Sequence, residues 1–96
     1  MRVVLDGAAI QTEGDFHRQL ARLLDLGPHY GNNLDALWDR LSHDVERPVE
    51  LVWENSAASR ENLGDELFAA IVVLLSDAQQ HDIDAGYADR FVLEMR

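Results

Sequence analysis

The segment HYGNNLDALWDRLSHD, residues 29–44, concentrates the side chains best suited to chemistry. Asn32-Asn33 offers a helix cap, and Leu34, Leu37, Trp38, Leu41 and Val45 then recur on one face of a helix. At 100° per residue, Asp35, Ser42 and Asp39 fall on a single flank of that helix, with Trp38 on its border. Two carboxylates one turn apart can work as acid and base only where burial drives their pKa values apart. This flank reads as solvated and lacks a partner base, so a small acid/base hydrolase is not supported. Asp35 has a simple role, because an acid in the first helical turn complements the helix dipole. Asp39 has none. Its i−4 neighbour is Asp35, a like charge worth about 0.2–0.5 kcal/mol of destabilisation, and its i+4 neighbour is His43. Arg40 points away, toward Asp44. From spacing alone, the pair reads equally as a solvated acidic helix face.

The elements that must hold this flank follow from periodicity. Arg2 to Asp6 reads as a strand closed by Gly7. Thr12 to Asp15 resembles a cap, Phe16, Leu20, Leu23 and Leu24 follow at helical spacing, and Gly27-Pro28 ends that helix. Pro48 closes the second helix, and Val49 to Trp53 alternates as a strand. Asn55 to Gly64 is a short polar stretch with room for an irregular helical turn. Asp65 to Gln80 is a helix by the length of its pattern, His81 to Asp89 a polar loop, and Phe91 to Met95 a last strand. Helices in every crossover imply a small parallel sheet covered by helices, an α/β fold in one domain spanning residues 1–96.

Other chemistries find no support. Cys is absent, which removes disulfides, thiolate metal sites and thiol nucleophiles. No two of His17, His29, His43 and His81 share a metal-binding spacing; His17 and His43 fall on polar helix sides and read as solvated. Asp82-x-Asp84-x-Gly86 begins like a calcium loop, but its Gly comes one place early and Leu93 stands where the closing Glu belongs. No phosphate-binding glycine motif occurs. Neither metal nor cofactor is expected.

The chain has 96 residues, 18 Asp+Glu against 8 Lys+Arg, and a formal net charge of −10; every base is Arg. Such a field repels nucleic acid and anionic membranes, and speeds encounter with a basic partner. Acidity also serves solubility by itself. The longest apolar run, Leu67 to Leu75, is far short of the ~20 residues of a membrane span, and Asp6 interrupts the early apolar stretch, so the expectation is a cytoplasmic protein.

Tyr30-Gly31-x-Asn33-Leu34-Asp35-Ala36-Leu37-Trp38-Asp39 resembles the signature of the barstar family of bacterial intracellular ribonuclease inhibitors. Asp6-Gly7, His17, Leu20, Leu41, Pro48 and Trp53 agree with it, and the likeness loosens beyond Trp53. The resemblance implies a three-stranded parallel sheet packed with about four helices. It also implies a monomer that plugs a basic, extracellular-type, guanyl-preferring ribonuclease of the barnase type in a 1:1 complex. By resemblance, Asp39 takes the place of substrate phosphate. Asp35, Asn33, Leu34, Trp38 and the segment around Tyr30 and Gly31 complete the contact, with His29, Ser42 and Asp44 at its margins and Asp77 as the nearest rim acid on the last long helix. The family's best-known member has an aromatic residue where His29 stands and Trp where Asp44 stands, differences that bear on which enzyme is bound. The alternative is an acidic module of the same shape with a non-ribonuclease partner.

The charge balance makes a first prediction. Association with a basic ribonuclease is fast and slows steeply as salt rises, while dissociation changes less. Stopped-flow rates at several ionic strengths check it; an association rate indifferent to salt contradicts steering.

Overall fold

The computed structural model describes residues 1–96. Three parallel strands, β1 (Arg2–Asp6), β2 (Val49–Glu54) and β3 (Phe91–Met95), form a sheet in the order β1-β2-β3. Register is Val3 to Leu51 and Leu51 to Leu93. Four α-helices follow the chain: α1 (Glu13–Leu24), α2 (Leu34–His43), α3 (Ser56–Leu63) and α4 (Asp65–Asp84). The expected α/β architecture of three strands and four helices is thus present. Within the stretch 55–64, Ser56–Leu63 form a regular two-turn helix where the sequence suggested an irregular helical turn, since α3 has a weak apolar stripe and is held by its neighbours.

Side chains alternate across a strand. Val3, Leu5, Val49, Leu51, Trp53 and Phe91 therefore share one face and build the core with Phe16, Leu20, Leu37, Leu41, Ile71 and Leu75 from the helices. The other face is less covered than a parallel sheet usually is. Val4 and Val92 are exposed there, and Arg2–Glu50 (3.2 Å) and Arg96–Glu54 (3.9 Å) ion pairs run beside them. The sheet edges are partly occupied by side chains. The Gln19 amide accepts from Asp6 N–H and donates to Asp6 C=O, and Gln79 Oε1 accepts from Leu93 N–H at 2.8 Å.

Gly7 is required by close approach. A Cβ there would collide with the carbonyl oxygens of Glu54 and Asn55 and with Ser59 Oγ. Ser59 donates to Gly7 C=O at 2.8 Å while accepting from Trp53 Nε1 at 3.0 Å, so the buried indole and hydroxyl are both satisfied.

Two further sequence expectations are corrected. His17 is not solvated: it is fully buried at the centre of a chain linking Glu13, His17 and Tyr30. Residues 81–84 belong to α4, not to a polar loop, because Asp82 turns inward and gains partners that repay its burial. Its Oδ2 accepts from Arg47 Nε (2.8 Å) and Phe91 N–H (2.7 Å), its Oδ1 from Arg47 Nη2 (3.2 Å). Burial pushes the Asp82 carboxyl up, but the Arg47 guanidinium and the Phe91 N–H outweigh it and hold it below the ordinary 3.8.

The Asp82 side chain is fully buried and that of Arg47 is 14% exposed, so Asp82→Asn strands a nearly buried guanidinium. The expected loss is about 3 kcal/mol, the low end for breaking such a pair. A carboxyl with a depressed folded pKa stabilises fully above its unfolded pKa and loses that contribution as pH falls through the folded value. The melting-temperature gap between parent and Asp82→Asn is therefore wide at pH 7 and narrows below pH 3.8.

Candidate functional site

α2 begins at Asn33, whose extended backbone and side-chain oxygen make a regular N-cap: Oδ1 accepts from Ala36 N–H at 2.8 Å. The Asn33 amide also donates to Gly31 C=O at 3.2 Å, tying the preceding loop to the helix. A Cβ on Gly31 would press on Ala36 Cβ and Asn33 Nδ2, both 3.3 Å away, so the loop runs close over the first turn.

Tyr30 holds the other end of that loop. Its ring is buried, and its hydroxyl lies 2.7 Å from His17 Nδ1, with Glu13 Oε2 at 2.9 Å from His17 Nε2. In the neutral imidazole, Glu13 fixes the proton on Nε2, leaving Nδ1 to accept from the tyrosine O–H. Burial, and then the Glu13 charge, push the Tyr30 hydroxyl upward in pKa against a weaker opposing pull from Arg40, so it stays a donor. Tyr30 therefore anchors the loop and offers little surface, while His29 and Gly31 beside it are exposed.

The flank inferred from helical geometry exists. Asp35 and Asp39 project into a groove of about 740 Å³ between α2 and α4, and Asp77 lines it from α4. Its apolar floor is Leu34, Ala36, Ala70, Val73 and Leu74, bordered by Trp38; no base lines it. The contribution of α4 was not legible beyond Asp77, because only packing reveals which stripe of that broadly apolar helix meets α2. Asp39 is 74% exposed at its side chain and lies 3.4 Å from an equally exposed His43, the neighbour its i+4 spacing implied. Arg40 pairs with Asp44 at 3.5 Å, as its direction suggested. Asp44 caps the helix C-terminus, and half-buried Ser42 sits lower on the same flank, beside Val45 and Tyr87. Trp38 is 37% exposed, and its ring meets His81 edge-on at 6.4 Å.

The site thus holds three carboxylates beside apolar surface, with no nucleophile–base pair among them. No group of three His, Cys, Asp or Glu is placed to hold a metal ion. Asp82, the first residue of the discarded calcium motif, spends its oxygens on Arg47 and Phe91.

Exposed acids at i and i+4 repel each other, and the exposed His43 contact is worth little. Asp39→Ala is therefore expected to melt within about 0.5 kcal/mol of the parent, on either side. Asp35→Ala loses complementarity with the helix N-terminus, about 0.3–1 kcal/mol. Thermal melts of both variants check this ranking, and a large loss for Asp39→Ala would mark it as structural.

The family model described as Barstar (barnase inhibitor) matches residues 1–95. A relative from Bacillus subtilis (strain 168), named "Putative ribonuclease inhibitor YrdF", is 38% identical over 63 residues, covering 66% of this chain and 69% of that protein.

Proposed function

The chain belongs to the barstar family, and from that premise we propose that it inhibits a guanyl-preferring microbial ribonuclease by occluding its active site. The observation that carries the reading is the groove: three carboxylates, no base, and an apolar floor beside the capped start of α2. A ribonuclease site must present cations to the phosphate of RNA. Asp39, 74% exposed and free of a permanent cation, is the group best placed to take the phosphate's position. Asp35 and Asp77 would meet neighbouring bases of the enzyme, and Leu34 and Trp38 would exclude water around them.

Inhibition in this reading is electrostatic and steric, with no reaction performed by this chain. The −10 charge speeds encounter, while desolvated charge pairs at the groove slow release. The exposed residues His29, Gly31 and Asp44 lie where they set preference among enzymes. The complex is 1:1 and the compartment is the cytoplasm, where an enzyme made for export or for use against rival cells would otherwise attack the cell's own RNA.

The test is inhibition of barnase-catalysed RNA cleavage by the parent and by Asp39→Ala. The parent is expected to inhibit stoichiometrically, and the variant to weaken binding by several kcal/mol, a size carried over from barstar's own complex with barnase. A parent that leaves the enzyme fully active overturns this reading in favour of an acidic module with a different partner. Equal inhibition by Asp39→Ala overturns the assignment of the phosphate position.

A further inference from the structure

Only two of the chain's aromatic residues are exposed, Trp38 (37%) and Tyr87 (48%), and His81 joins them. The His81 ring meets Trp38 edge-on at 6.4 Å and Tyr87 edge-on at 6.5 Å. The three form a ladder from the border of the acidic groove, over the end of α4, to a second concavity. Tyr87 lines that concavity with Ser42, Val45 and Asp89.

Tyr87 is held there by the backbone. Gly86, at φ 76°, donates to Ile83 C=O, and Tyr87 N–H reaches back to Asp82 C=O at 3.1 Å, the paired bonds of a Schellman cap. Arg90 Nε donates to Tyr87 C=O at 2.7 Å, and Asp82 itself is locked to Arg47 and Phe91. The contact between Tyr87 and His81 is the apolar contact that accompanies such a cap. It accounts for the position of Tyr87, yet leaves nearly half of the side chain in solvent. The concavity's one base, Arg47, already serves Asp82.

We propose that His81 and Tyr87 extend the docking face beyond α2, with Tyr87 and Asp89 receiving a cationic side chain of the ribonuclease. The inference rests on the inhibitor reading and names residues that determine which enzyme is preferred. Continuity through Trp38 places this patch beside the proposed interface. An exposed aromatic face backed by a carboxylate is suited to a guanidinium or ammonium group, and rigid aromatics dominate binding at such positions.

Barnase is the probe, with inhibition constants and melting temperatures for the parent, Asp39→Ala, Tyr87→Leu, Tyr87→Phe and Asp89→Arg. Tyr87→Leu keeps an apolar contact for the cap but removes the ring, and is expected to weaken inhibition about five- to thirty-fold with its melt near the parent's. Tyr87→Phe keeps the ring and inhibits like the parent; Asp89→Arg, on an exposed residue, weakens inhibition at least as much as Tyr87→Leu. If Asp39→Ala fails while Tyr87→Leu and Asp89→Arg inhibit like the parent, this inference is overturned and the inhibitor reading stands. A parent that does not inhibit overturns both.

Discussion

The arrangement depends on one buried ion pair. Asp82 stands near the end of α4, accepts from the first N–H of β3, and takes both a single and a second hydrogen bond from Arg47. Arg47 in turn donates to Val45 C=O, just past α2. One carboxylate therefore fixes the exit of α2, the end of α4 and the start of the third strand relative to one another. A groove between α2 and α4 can present acids at fixed separation only if those two helices cannot slide. Two charges taken from water are poor value as pure stabilisation, and their defensible role here is to specify geometry.

Much of this was legible in the chain. The capping box at Thr12 and Asp15 and the Asn33 cap sit where local chemistry put them, because each depends on neighbours within four residues; the Val49 strand was legible from its alternation, although its pairing partners lie far along the chain. The acidic flank of α2 was legible for the same reason. Asp82 and His17 were not. Both are polar, and a polar residue's burial depends on a partner that sequence distance hides: Arg47 is 35 positions from Asp82, Tyr30 is 13 from His17. The extension of α4 through Asp84 followed from the same cause, since its last turn is polar by composition and secured by tertiary contacts.

The same economy recurs in the loop before α2. Glu13, His17 and Tyr30 carry hydrogen bonds from the surface of α1 into the core, and Tyr30 uses the inner end to hold a loop whose outer side is free. Rigid backbone beneath exposed side chains lowers the entropy a partner must remove on docking. In the proposed complex the anchor of this loop is internal, while the side chains of His29 and Asp44, which would face the enzyme, lie outside it.

The side chains at the sheet margins work against one kind of recognition. A three-stranded sheet ordinarily invites strand addition, in which an extended peptide borrows the free N–H and C=O groups of an outer strand. Here Gln19 already occupies both backbone groups of Asp6, while Gln79 and Asp82 take the outward N–H groups of Leu93 and Phe91. An incoming strand would have to break these bonds before making its own. Amyloid-like stacking is discouraged at the same positions. At these positions backbone pairing with a visitor is disfavoured, which agrees with the proposed use of helix faces and loops, where charge and shape select.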